Sequence, residues 1–184
     1  MNKFNITKDV LSLFTAAFIV DFIIALFARY FWGKSINDWY DNFGICGVFA
    51  DVFSIVIGIV IAYIIFIEVR DSVKDFFKVE SDLVDALLFI VIAIIVQFLH
   101  DIIFYYAVIK PIPLGHNKMI DVFKDYSDSV GVGILFVDAA MIISTIIIFY
   151  IISNYFNDVY KLLSFAIVMY AFQYVIYTPR QIKQ

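Results

Sequence analysis

A single cysteine, Cys46, excludes an internal disulfide and a cysteine-based metal site. Charge is scarce as well: 16% of the 184 residues are Asp, Glu, Lys or Arg, the net charge is −4, and no Lys/Arg cluster occurs. A nucleic-acid partner is therefore not expected, because phosphate binding needs a basic patch. Helix breakers are rare, with three prolines and seven glycines, and neither type occurs between Ile59 and Lys110. There is no HExxH, no exposed Ser/His/Asp set, no Gly-rich phosphate loop and no selectivity-filter sequence, so the residues name no enzyme class, cofactor or metal.

What fills the chain instead is apolar residues. Hydrophobic types make up 64%, with 21 Phe, 12 Tyr and a mean hydropathy of +0.95, far outside the range of a soluble domain. The first apolar run, Val10 to Trp32, is longer than a signal-peptide core and lacks a small-residue cleavage pattern, so it reads as a retained span. A span needs about 20 apolar residues. This places spans at about 9–32, 45–67, 83–109, 130–153 and 160–177, the last being the shortest and open to a re-entrant or interfacial reading. Residues 68–81 extend the second helix into water, with Val69, Val73, Phe76 and Phe77 on one face, and Ser81 is placed to cap the third span. Lys110-Pro111-Ile112-Pro113 ends that span, since proline removes a backbone donor and biases its predecessor toward extended conformations.

Each long loop has its own helical periodicity. Ile36, Trp39, Tyr40 and Phe43 fall at i, i+3, i+4 and i+7, as do Met119, Val122, Phe123 and Tyr126, which predicts short helices lying in the headgroup layer. Orientation is not decided by basic residues: six (Lys3, Lys8, Arg70, Lys74, Lys78, Lys161) lie on one side and seven (Arg29, Lys34, Lys110, Lys118, Lys124, Arg180, Lys183) on the other. Asn5-Ile6-Thr7 fits an N-glycosylation acceptor, a pattern common by chance.

Four spans each carry one aspartate: Asp21, Asp51, Asp101 and Asp138. A carboxylate at mid-bilayer costs about 2.5 to 3.5 kcal/mol on insertion scales, so four of them need a reason. They also repeat. One offset sets Asp51 over Asp138, Gly44 over Gly131, Trp39 over Tyr126, Asp38 over Asp125 and Tyr63 over Tyr150; a shorter one sets Asp21 over Asp101 and Phe18 over Phe98, the difference being absorbed in the PIPLGHN loop. The expected fold is all-α: one polytopic transmembrane domain spanning 1–184, a bundle of four to five spans. It consists of two parallel helix-loop-helix repeats, about 9–67 and 83–153, and an extra C-terminal segment at about 160–177.

The repeat puts the four acids at one depth, together with His100 and with Gln97 one turn from Asp101. No Lys or Arg occupies the middle of a span, so some acids are expected to be protonated or to share protons, with Ser54, Ser144 and Thr145 as further hydrogen-bond partners. Two roles are open for this layer. It is interhelical glue, at about 1 kcal/mol per contact, or it is a proton or cation site in a small channel or transporter. His100 beside Asp101 would serve a metal or acid–base site, but adjacent helical residues diverge and only His116 could join them. Residues 68–82 read as a solvated helix end or as a docking surface for a second copy or another protein. Tyr170, Tyr174 and Tyr177 share one face of the last segment, suited to packing or interface anchoring.

The stretches DWYDNFGICGVFADVFSIVIGIVIAYIIF and QFLHDIIFYYAVIKPIPLGHNKMIDVFKDY resemble an uncharacterised family of small multi-span membrane proteins of nucleocytoplasmic large DNA viruses. The resemblance covers about residues 15–150. It implies that Trp39, Gly44, Asp51, His100, Asp101, Lys110, Pro111, Pro113 and Asp138 belong to the family's motif. It also implies a viral or host-derived internal membrane as the location, with the lipid bilayer and other virion proteins as partners. It identifies no substrate or catalytic residue. The resulting expectation is a non-enzymatic component of a viral membrane or its assembly, with a proton or cation channel or transporter as the alternative.

Overall fold

The computed structural model describes residues 6–31, 34–78 and 81–179, and among these every regular element is a helix. Trp32, Asn5 of the glycosylation pattern, residues 79–80 of the linker, and Lys3, Arg180 and Lys183 of the charge comparison lie outside the described residues. After a 3-10 turn at Ile6–Lys8 come α1 (Val10–Phe31), α2 (Lys34–Phe43), α3 (Ile45–Phe77), α4 (Asp82–Phe104), α5 (Lys118–Val130), α6 (Gly133–Tyr155) and α7 (Asp158–Ile176). Five of them, α1, α3, α4 with its extension, α6 and α7, are long and apolar enough to cross a membrane. The protein is a polytopic helix bundle, and the 19-residue α7 meets the same length and composition requirement as the others.

Helix α1 is the hub, packed against α3, α6 and α7, while α4 joins α3 to α6 so that four spans form a closed ring. Its sequence suits that place. Ser12, Thr15, Ala16, Ala17, Ala25 and Ala28 are buried and small, and small residues let membrane helices approach backbone to backbone where lipid supplies no hydrophobic drive. Half of the most apolar stretch of α1 is buried, against 17% for α7, which contacts the bundle along one side only. Aromatic edges fill the seams: Phe18–Phe165 and Phe22–Phe172 between α1 and α7, Phe14–Phe53 between α1 and α3, and Phe66–Phe89 between α3 and α4.

Ion pairs fix the helix ends. At the start of α1 and α7, Lys161 Nζ lies 2.5 Å from Asp9 Oδ2. Burial alone would raise the Asp9 carboxyl, but hydrogen bonds from Lys161, Ser12 and Ser153 outweigh it and hold the group below the usual carboxylate value. At the other end, the buried Arg29 guanidinium donates to the Val175 carbonyl at 3.4 Å and to the Ile176 carbonyl, so it caps the last turn of α7. The two helices therefore run parallel and are joined at both ends.

Helix α3 has 33 residues and, at about 1.5 Å per residue, spans about 50 Å, more than the ~30 Å of a hydrocarbon layer. With no glycine or proline to stop it, it runs past the bilayer length and ends at Lys78, whose φ of 53° is left-handed. The projecting end folds back on its neighbour: Arg70 Nη2 and Lys74 Nζ lie 2.6 and 3.1 Å from Oδ2 of Asp85 in the first turn of α4. Two of the cations of the 68–82 segment are thus committed within the chain, while Phe76 and Phe77 are exposed. Ser81 caps α4 by accepting from the Leu83 amide at 3.2 Å, as expected from sequence.

Helix α4 does not stop at Phe104. It widens into a π turn over Tyr105–Ile109, closed by a bond from the Lys110 amide to the Tyr105 carbonyl, and Pro111 then prevents continuation. Helices α2 and α5 pack against each other on the side where α1 and α4 end and α3 and α6 begin. Each joins its following span through a glycine: Gly44 at φ 52°, ψ −129° and Gly131 at φ 60°, ψ −140°, conformations that L side chains avoid. The hydrogen bonds there are also alike. Gly44 N donates to Tyr40 O and Gly131 N to Ser127 O, both at 2.8 Å; Gly47 N donates to Gly44 O at 3.1 Å and Ile134 N to Gly131 O at 3.2 Å.

Candidate functional site

The two short helices expected in the long loops form as α2 and α5, and their apolar faces pack onto the bundle. Ile36, Tyr40 and Ile120 are buried, and Trp39 meets Phe123 edge to face, so α2 and α5 roof the bundle. The reason is local. Arg29 donates to Asn37 Oδ1 at 3.1 Å and to Asp41 Oδ1 at 2.5 Å, while Asn37 Nδ2 returns a bond to the Ala28 carbonyl at 2.6 Å. These contacts tie the polar side of α2 to the end of α1, which leaves Trp39 and Tyr40 facing down.

Below this roof lies a cleft of about 780 Å³ lined by α1, α2, α3, α4 with its π turn, α5 and α6. All six residues singled out from sequence, Asp21, Asp51, Gln97, His100, Asp101 and Asp138, line it. By helix rise, Asp21 lies about 15 Å from the roof-side end of α1, Asp101 about 12 Å from the end of the π turn, and Asp51 and Asp138 about 8 to 9 Å from the start of α3 and α6. The carboxyls form a chain of neighbours: Asp51 lies within electrostatic range of Asp21 and Asp138, and Asp138 of Asp101 and His100.

The hydrogen-bond donors come from the roof and from α4, in place of the Ser and Thr residues of the spans. Tyr40 Oη donates to Asp21 Oδ1 at 2.7 Å, and Trp39 Nε1 to Asp51 Oδ2 at 2.8 Å. Burial first, then the neighbouring Asp21 and Asp51 carboxylates, raise the Tyr40 phenol well above its ordinary value, so it stays a donor. Burial followed by Asp138 and Asp51 does the same to Tyr126 on α5. Gln97 Nε2 donates to Asp101 Oδ1 at 2.7 Å, and His100 Nδ1 lies 3.1 Å from the same oxygen, its ring stacked on Phe104. Thr145 is buried with Oγ1 unpartnered, and Ser54 lines the cleft.

The carboxyls are not fully satisfied. Asp21 is completely buried, yet its Oδ2 has no hydrogen-bond partner, and neither has Oε1 of the buried Gln97, whereas Asp101 lies within hydrogen-bonding reach of the Asp138 carboxyl. Among the described residues no Lys or Arg forms an ion pair with any of the four aspartates. Among the same residues no three acids, histidines or cysteines converge closely enough to hold a metal ion.

Four contributors are not read from sequence as members of the acid layer. Trp39 and Tyr40 were read as interface anchors, and Tyr126 as one more member of an amphipathic face. Gly47 is the fourth: a Cβ there would lie 3.0 Å from Trp39 Nε1, so only glycine lets the indole reach Asp51 without displacement. The matched pairs Trp39/Tyr126 and Asp51/Asp138 carried the signal, because a residue that repeats with an acid is a candidate partner of that acid. No family model, curated protein or solved structure matches the chain.

Proposed function

We propose that this integral membrane protein is a non-enzymatic carrier or channel that takes up a proton or a monovalent cation at the acid-lined cleft. The observation that supports this over interhelical glue is that all four acids line one cleft and none forms an ion pair with a described Lys or Arg. Asp21 also keeps an unpaired oxygen, beside a cleft large enough for many waters or one small molecule. Intramembrane acids facing a bundle interior recur in ion and proton paths.

The duplication read from sequence extends the proposal to two related halves, α1–α3 and α4–α6, moving about the shared cleft. It is supported by the matching glycine joints at Gly44 and Gly131, by the α2–α5 contact, and by the way α1–α3 packing is paralleled by α4–α6 packing. The membrane is proposed to be a viral or host-derived internal one, on the sequence resemblance alone. Detection of the chain in purified virions tests that part, and its absence overturns it.

Purified protein in liposomes with an internal pH-sensitive dye provides the functional test. Wild type is expected to pass protons or alkali cations under an imposed gradient. Asp51→Asn and Asp138→Asn, which keep shape and most hydrogen bonding, are expected to abolish flux while the protein stays folded. A wild-type protein silent under pH and voltage gradients overturns the reading.

A further inference from the structure

The cleft is oversized for a bare ion. At about 780 Å³ it lies in the range of small-molecule pockets, about 300 to 1,000 Å³, whereas a water molecule takes roughly 30 Å³. Most of its wall is apolar or aromatic, from Ile24 on α1 to Met119 and Phe123 on α5 and Met141 on α6. The polar groups are gathered among the four aspartates and the residues that bond them. This is the layout of a site for a molecule with one polar end and an apolar body.

The sign of that polar end follows from the side chains. Two fully buried oxygens at the site have no partner, Asp21 Oδ2 and Gln97 Oε1, and both residues are at least nine-tenths buried. Carboxylates and an amide oxygen call for N–H or O–H donors, and four acids without a Lys or Arg partner repel an anion. A metal ion is a poor match, because the described acids do not converge as a coordination set. Trp39, Tyr40 and Tyr126 also line the cleft, and Trp39 and Tyr40 meet Asp51 and Asp21 through their N–H and O–H groups. Ile57 and Ile102 line the cleft yet remain 53% and 47% exposed, so part of the rim faces the lipid phase that such a molecule would enter from.

We propose that the cleft binds a protonated organic amine with an apolar body, its nitrogen seated among Asp21, Asp51 and Asp138 and its body against Ile24, Met119 and Phe123. This rests on the cation reading above and names the cation's class.

The test uses the full chain in phosphatidylcholine nanodiscs, with 4-phenylbutylamine as the probe and empty nanodiscs subtracted. Comparators are 4-phenylbutan-1-ol, 5-phenylpentanoate and methylammonium, and binding is read by calorimetry and by quenching of tryptophan fluorescence. Saturable amine binding is expected, with the alcohol and methylammonium at least tenfold weaker and the carboxylate not binding. Asp21→Asn and Asp51→Asn are expected to weaken the amine at least tenfold. Ser54→Phe, which fills the cleft and keeps all four acids, is expected to do the same, so the proposal stays testable if an Asn variant fails to fold. Equal binding of alcohol and amine overturns the proposal, since the acids then recognise nothing. Methylammonium binding as tightly as the amine also overturns it and leaves the small-cation reading standing. So does proton flux in liposomes without saturable amine binding.

Discussion

Arg29 is the residue on which the position of α2 and α7 depends. Arg29→Met keeps the length and apolar stem of the side chain and removes every donor. The α7 carbonyls of Val175 and Ile176 then lose their cap, Asp41 loses its hold on the end of α1, and Asn37 keeps only its bond to the Ala28 carbonyl. Each hydrogen bond is worth roughly 0.5 to 1.5 kcal/mol net. The Asp41 pair adds at most about 1 kcal/mol, because the Asp41 side chain is 39% exposed and can be hydrated when released. The expected loss is about 2 to 5 kcal/mol. Unfolding by sodium dodecyl sulfate in mixed micelles, followed by circular dichroism, measures it, and amide exchange at residues 172–177 is expected to accelerate at least tenfold. Arg29→Lys should fall between wild type and Arg29→Met, since one ammonium cannot reach both α7 carbonyls and Asp41 together. An Arg29→Met protein within about 0.5 kcal/mol of wild type, with unchanged exchange near Ile176, would refute the capping role.

Four further outcomes are expected. Arg70→Gln with Lys74→Gln leaves the buried Asp85 carboxylate without cations and should cost about 2 to 3 kcal/mol; adding Asp85→Asn should restore most of it, and no rescue would show that the pair does not fasten α3 to α4. Gly44→Ala and Gly131→Ala should each cost about 1 to 3 kcal/mol from backbone strain alone, because a Cβ has room at both positions; neutral variants would contradict the positive φ. Gly47→Ala should displace the Trp39 indole from Asp51 and change tryptophan emission in a Trp32→Phe background, and an unchanged spectrum would place Trp39 elsewhere. The Asp9 carboxyl is held below its ordinary 3.8, so the Lys161 staple contributes fully above that pH and is lost as pH falls through the lower folded value. The stability difference between wild type and Asp9→Asn should therefore be present at pH 6 and shrink as pH falls below 3.8; a difference independent of pH would show that the ion pair is not its source.

The spans were legible because a membrane helix must bury or hide about 20 consecutive peptide groups, and apolar runs of that length have no other common use. Boundaries fell within a few residues, α3 included: with no breaker after Gly58 its expected extension past the span runs to Phe77. The six acid-layer residues were legible for a related reason: a charge in a span is too costly to be accidental, and a common offset puts it at a common depth. What could not be read was the direction of the loop-helix faces. Ile36, Trp39, Tyr40 and Phe43 define an amphipathic stripe that fits a headgroup layer as well as a protein interior. Only the Arg29 contacts to Asn37 and Asp41, formed between chain segments, select the second.

Hydropathy, charge and glycine or proline act within one stretch of chain. They were therefore enough to specify an all-helical chain with membrane-length spans, an acid in four of them, and the places where the helices break. What surrounds the acids was settled only when the helices packed. Packing set Trp39 and Tyr40 over Asp51 and Asp21, paired Arg29 with the distant end of α7, and left Asp21 Oδ2 and Gln97 Oε1 without partners beside a cleft. Those outcomes depend on which faces meet across the bundle, and burial removes water as the alternative partner, so the packing fixes which polar groups are satisfied.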